Sequence, residues 1–298
     1  HGNTPNELTQ HADAALYLAK GQGRHTYRYY TEALTRATHE RLSMEARLRR
    51  ALERDELLVY YQPQLSIATG RIVGAEALTR FVSSPLKSPD QWFDEADLVG
   101  RGVELEFLAM ETALRAAADL PAHLYIAVNL SPAACLDPRL SDIVRESALQ
   151  PGRIVVELTE RSAVADYARL AAALAPLRSA GLRIAIDDVG AGFSSMCHIL
   201  RLSPEVVKLD RTIVAGIDNN PSQRALCTAM VSFSSQIGAS LVAEGIETHA
   251  ELATVAELGV NAGQGYLLGR PSVLPADWDH WGQRNRSSTS GNDESHDT

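Results

Sequence analysis

The chain is short of several things at once, and each shortage removes a class of function. None of its 298 residues belongs to an apolar run near the roughly 20 residues that span a bilayer, and no basic leader precedes an apolar stretch. Its three cysteines, Cys135, Cys197 and Cys227, are widely spaced and form no CxxC pair, which excludes a disulfide framework and a zinc signature. We read them as core filler in a reducing compartment. Lys and Arg number 28 against 37 Asp and Glu, and a net charge of −9 argues against binding a nucleic-acid duplex, whose affinity comes from cations that neutralise phosphates. No HxxxH pair occurs, and no GxGxxG follows an opening strand. With 45% hydrophobic residues, the chain reads as a soluble globular protein of one large domain plus an appendage. It opens on His1 rather than Met, so an excerpt of something longer is expected.

The appendage comes first. Residues 7–20 carry Leu8, Ala12, Ala15, Leu16 and Ala19 at helical spacing and break at Gly21 and Gly23 before an aromatic HTYRYY segment. Residues 31–56 lack Gly and Pro, which predicts a long helix with Leu34, Leu42, Leu48 and Leu52 as a docking stripe; a solvated spacer helix fits as well.

From Leu57 the rhythm changes. Two β-rich runs, 57–63 and 71–78, are joined by SIATG, too short for a parallel crossover, so they should pair antiparallel. Helices and strands then alternate: helix 103–119, strand 124–130, helix 138–149, strand 153–160, helix 164–179, strand 183–188, a short helical link, strand 205–210, helix 221–237, strand 240–247, helix 248–258 and a last short strand near Val260. Eight strands in this order predict an α/β fold, a (β/α)8 TIM-like barrel with an antiparallel first strand. The polar residues beyond Trp281 should be disordered.

The strand ends carry the chemistry. Glu76, Asn129, Glu157 and Glu160, the tandem Asp187 and Asp188, Lys208 and Asp210, Glu244 and Glu247, and Gln264 fall there in turn, and in a barrel such ends converge on one mouth. Any one of these acids reads as a helix cap or an arginine partner. Five or more in one mouth would repel by several kcal/mol unless cations neutralise them. An all-oxygen donor set favours magnesium or manganese over zinc or copper. The adjacent Asp187 and Asp188 could hold two ions, or share one. Lys208 could form a Schiff base, act as an enolase-type base, hold an attacking water, or balance the acids as a counter-charge. The Gly190 to Gly192 loop is a weak phosphate-loop signal, more simply a flexible lid.

Seven motifs in this order, EAL with Arg80, Asn129, ELTE, DDxGxGxSS, VKLD, AEGIE and QGYLLGRP, resemble the EAL family of cyclic di-guanylate (c-di-GMP) phosphodiesterases over about Leu57 to Trp281. Residues 11–24 are similar to the last helix of a GGDEF diguanylate cyclase domain without its signature. The resemblance implies hydrolysis of c-di-GMP to linear 5'-pGpG with Mg2+ or Mn2+, two ions per site. It implies metal ligation by Glu76, Asn129, Glu157, Asp187, Asp188 and Glu244, with Asp187 the bridge, and a catalytic set of Glu244 as candidate general base, Lys208 orienting the water, and Asp188. Gln62, Arg80, Asp210 and Gln264 are expected near substrate, and Glu160 and Glu247 as braces of the loop after Asp188 or of the outer ligand shell. It further implies a homodimer across the lid region, upstream sensory domains and a cytoplasmic site, free or within a membrane-anchored parent. Domain limits follow as 1–30 GGDEF-like remnant, 31–56 linker helix, 57–282 barrel and 283–298 tail. Where the family usually has DDFGTGYSS this chain has Val189, Ala191 and Phe193, and Thr79 replaces an apolar residue before Arg80; every implied ligand is spared, so activity is expected. A receptor that binds the dinucleotide without cleaving it would have lost a ligand.

Overall fold

The computed structural model describes residues 4–21, 27, 31–53, 56–82, 86–158, 164–190 and 194–273. Two compact units divide the chain, His1–Leu57 with Phe81–Leu105, and Leu58–Arg80 with Glu106–Thr298. The first unit thus takes in a segment that the sequence reading assigned to the barrel.

In the first unit, helix α1 (Pro5–Gly21) precedes α2 (Glu32–Glu53), whose Leu48 and Ala51 are buried while Leu42 is exposed. The leucine stripe therefore buries only in part. Helix α3 (Pro89–Leu98) begins on a full capping box, with Ser88 and Gln91 each accepting from the other's backbone N–H and Pro89 in the first turn. Its Trp92 stacks on Phe81 at 4.9 Å, and its Glu95 pairs with Arg47, 3.1 Å away, and with Lys87.

The second unit is a closed barrel in the order β1 (Leu57–Ser66), β2 (Ile72–Phe81), β3 (Tyr125–Asn129), β4 (Ile154–Leu158), β5 (Arg183–Val189), β6 (Val206–Leu209), β7 (Ser240–Ala243) and β8 (Ala262–Gly263). Strands β2 to β8 pair in parallel, and β1 runs against β8 with Leu65 opposite Gly263, so β1 also opposes β2. Around it run α4 (Gly102–Ala116), α5 (Pro132–Cys135), α6 (Arg139–Glu146), α7 (Tyr167–Ser179), α8 (Ser194–Leu202), α9 (Arg211–Val214), α10 (Pro221–Gln236) and α11 (His249–Glu257). The expected fold is present, with β4, β6 and β7 shorter than read. Residues 244–247 form a loop, not a strand end.

Strand side chains alternate, so residues two apart share a face. Two residues before the mouth groups Asn129, Glu157, Asp187, Lys208, Glu244 and Gln264 stand Ala127, Val155, Ala185, Val206, Val242 and Ala262, which form one buried apolar cluster with Tyr125 against it. A dry layer of side chains therefore floors the mouth. Cys135 and Cys227 are buried as expected, but Cys197 is exposed: it lies on α8 outside this core, so it fills nothing.

Candidate active site

Lys208 is the centre of the mouth. It is 1% exposed, and its Nζ lies 2.7 Å from Glu157 Oε2, 2.8 Å from Glu244 Oε1, 3.0 Å from Asp187 Oδ1 and 3.5 Å from Glu76 Oε2. Burial pulls the ammonium pKa down, but the four carboxylates outweigh it and hold Lys208 well above the ordinary lysine range. Four carboxylates at these distances favour a counter-charge or water-holding role for the ammonium over the Schiff-base and enolase-type roles, which need a free amine.

The carboxylates differ. Burial raises Glu157 well above the usual range despite Lys208, with Glu76, Asp187 and Glu244 adding like charge. Burial likewise lifts Glu244 to about 8. Burial would raise Glu76 too, but Lys208, Gln264 and Asn129 bring it below the usual value. Asn129 Nδ2 donates to Glu76 Oε1 at 3.0 Å and Gln264 Nε2 to Glu76 Oε2 at 2.6 Å.

The tandem aspartates are placed by a bulge. Strand β5 runs on to Val189, which pairs with Leu209, and the register shifts between Ile186 and Val189. Asp188 sits at φ 54°, a left-handed conformation that costs an L-residue about 1 to 2 kcal/mol. The strand does not simply end on the pair; the irregularity turns both carboxylates to the mouth. Glu76, Glu157 and Asp187 can each bring an oxygen within 4.8 Å of the others, and so can Asp187, Asp188 and Glu244. Asp187 belongs to both triads.

A divalent cation fits these residues. The donors are all oxygen, four carboxylates face one ammonium, and the buried Asp187 Oδ1 makes no well-formed hydrogen bond. Beside the centre, a cleft of about 250 Å³ is lined by Gln62, Arg211, Glu244, Gly245, Glu247, Gln264, Gly265 and Tyr266.

Gln62 and Gln264 both line this cleft, Gln264 Nε2 donating to Gln62 Oε1 at 3.2 Å. Two others have local duties. Arg80 donates to the Thr79 carbonyl at 2.8 Å and lies 5.8 Å over the Tyr60 ring, and Asp210 caps α9 by accepting from Thr212 N at 3.0 Å. Glu247 pairs with Arg211 at 3.0 Å. Glu160, Ala191, Gly192 and Phe193, and the tail beyond 273, lie outside the described residues. Val189 is buried, 2% exposed.

Sequence reasoning missed Glu251 and Gln64. Glu251 accepts from the backbone N–H of Gly216 (2.9 Å), Glu247 (2.9 Å) and Thr248 (3.0 Å), bracing the loop that carries Glu244. Its signal was the Thr248-x-x-Glu251 capping box. Gln64 follows Gln62 at the strand period and points to the same face.

A closed barrel whose mouth gathers oxygen donors around one buried lysine defines a class of acidic-centre TIM-like barrels. Within that class the chain belongs to the EAL domain family, whose model matches residues 45–271. It is 34% identical over 286 residues, 93% of this chain and 42% of the relative, to the bifunctional diguanylate cyclase/cyclic di-GMP phosphodiesterase MucR of Pseudomonas aeruginosa. The chain therefore spans less than half the length of that relative. It resembles the solved PaMucR phosphodiesterase in complex with c-di-GMP, with TM-score 0.69 and 32% identity over 77% of this chain and 97% of that one. The manganese and c-di-GMP complex of Klebsiella pneumoniae BlrP1 is similar at TM-score 0.65 and 28% identity, over 73% and 56% of the two chains.

Proposed function

We propose that this chain hydrolyses one phosphodiester bond of c-di-GMP, giving linear 5'-pGpG. The observation that carries the reading is the ring of four carboxylates around Lys208 at the mouth of an EAL barrel. Glu76, Asn129, Glu157, Asp187, Asp188 and Glu244 hold two Mg2+ or Mn2+ ions in this reading, and the two triads that share Asp187 support it. Bound there, divalent ions supply an acidified water and neutralise charge on the phosphate oxygens. Lys208 directs its ammonium at the attacking oxygen, and Glu244 accepts the proton that oxygen gives up. Gln62 and Gln264 line the cleft beside them and hold the dinucleotide; Arg80 and Asp210 are assigned to its outer parts.

The wider assignments rest on the same reading. Alignment with MucR reaches beyond the family match, which supports taking residues 1–30 as the remnant of a GGDEF-like domain. No helix of the described residues is long and apolar enough to cross a membrane. A homodimer through the lid region, upstream sensory domains and a cytoplasmic site complete the proposal.

The test is turnover of c-di-GMP with Mg2+ or Mn2+, followed by chromatography beside a Glu76→Ala control. Metal-dependent appearance of the linear dinucleotide in the wild type alone is expected. Tight nucleotide binding with no product would overturn the hydrolase reading in favour of a receptor.

A further inference from the structure

We propose that Gln64 and Tyr125 are positioning residues: they lock the Gln264 amide in the one orientation that donates to Glu76, and so hold that carboxylate for a cation. The inference rests on the metal-binding reading of the centre given above. Neither residue lines the cleft.

The direction of each bond is forced from two ends. A carboxylate only accepts, so the Gln264 atom 2.6 Å from Glu76 Oε2 is its Nε2. A backbone carbonyl also only accepts, so the Gln62 atom 3.1 Å from the Gly269 oxygen is Nε2, which leaves Gln62 Oε1 to accept the second Gln264 hydrogen at 3.2 Å. Both Gln264 hydrogens are now committed, and its Oε1 needs a donor. Gln64 Nε2 supplies one at 2.7 Å. Gln64 Oε1 in turn accepts from the Tyr125 hydroxyl. Were Gln64 turned round, two carbonyl oxygens would face each other across that 2.7 Å.

The floor of the barrel is built to seat the last member. A Cβ on Gly74 would stand 2.4 Å from the Tyr125 ring, so only glycine leaves that space open, and the Arg183 guanidinium lies 4.6 Å over the ring. Burial pushes the Tyr125 hydroxyl up to about 12, so it stays a donor across the neutral range. Gln64 is 1% exposed, so bulk solvent does not reach it and both of its bonds stay with protein partners. The line Tyr125, Gln64, Gln264, Glu76 therefore runs from the dry floor to the mouth with a single polarity.

The test is Mn2+ affinity, measured by paramagnetic resonance titration without substrate, for the wild type, Gln64→Met, Tyr125→Phe, Gln264→Met and the double Gln64→Met/Gln264→Met. Outer-shell partners of metal ligands typically matter by 10- to 100-fold in affinity, so Gln64→Met should weaken Mn2+ by about tenfold and Tyr125→Phe, which keeps the ring, by about threefold. In the Gln264→Met background Gln64→Met should add nothing, because its route to Glu76 is gone. Thermal melts report that each variant is folded. Unchanged Mn2+ affinity in folded Gln64→Met and Tyr125→Phe would overturn the proposal, and so would additive losses in the double variant, which a space-filling role predicts. A wild type that binds no Mn2+ would instead remove the metal-binding reading, and the relay with it. Mn2+ binding that depends on Gln64 in a protein inert towards c-di-GMP would leave the relay standing and refute only the hydrolase.

Discussion

Replacing Lys208 by methionine removes the one positive charge from a ring of acids while keeping most of the side chain's length. At an effective dielectric constant near 20, a unit pair 3 Å apart is worth about 5.5 kcal/mol, and Lys208 makes such approaches at 2.7, 2.8 and 3.0 Å. Desolvation offsets much of this sum, and removing one partner of a buried pair costs about 3 to 5 kcal/mol. The loss depends on pH. Without the ammonium, the carboxyls of Glu157 and Glu244, already raised by burial, rise further above their unfolded values. An acid raised on folding costs nothing below its unfolded pKa, about 4.3, and its cost grows until the pH passes the folded value. Urea unfolding in EDTA should therefore find the variant within about 1 kcal/mol of wild type at pH 4.5 to 5, and about 3 to 5 kcal/mol less stable at pH 8. An equal difference at both pH values, or none at pH 8, would refute the account of how the ring is held.

Four further outcomes are expected. Mn2+ should raise the melting temperature more at pH 8 than at pH 6, because Glu244, lifted to about 8, must shed its proton to bind; an increment independent of pH would contradict this. Glu76→Ala should weaken Mn2+ by at least about tenfold in calorimetry and abolish turnover. Glu251→Ala should cost about 2 kcal/mol by stranding three backbone N–H groups. Burial would raise Glu251, but the Gly216, Glu247 and Thr248 amides hold it below the usual range, so its contribution is present above its unfolded pKa and the gap to wild type should close as urea melts move down in pH through the folded value. Gly74→Ala should destabilise by about 1 to 3 kcal/mol through the Tyr125 ring, and calorimetric melting at the wild-type temperature would argue otherwise.

The barrel was legible because strand ends and helices alternate, and because the SIATG turn fixes β1 against β2. The acids at those ends were legible as one set for the same reason, since a barrel makes distant residues neighbours. Helix α3 was missed although Ser88, Pro89 and Gln91 spell its start; nothing in the family motifs draws attention to that stretch. The bulge at Asp188 could not be read, because left-handed backbone at an aspartate follows from β5 and β6 pairing, not from local sequence. Gln64 was passed over since its partners, Gln264 and Tyr125, lie 200 and 61 residues away. Asp210 and Glu247, which the motifs do mark, also carry contacts that the motifs do not announce, a helix cap and an arginine pair.

The reversal of β1 sets where the chain is threaded into the barrel. In eight parallel strands the first begins at the pole away from the site. Here Leu57 begins at the pole where the other strands end, and Gln62 follows five residues later, roughly 17 Å along an extended strand. A load on the backbone at Leu58 would therefore meet Tyr61, knotted to Ser272 and to the Ala113 carbonyl, one residue before Gln62 in the wall of the cleft, with no helix between to absorb it.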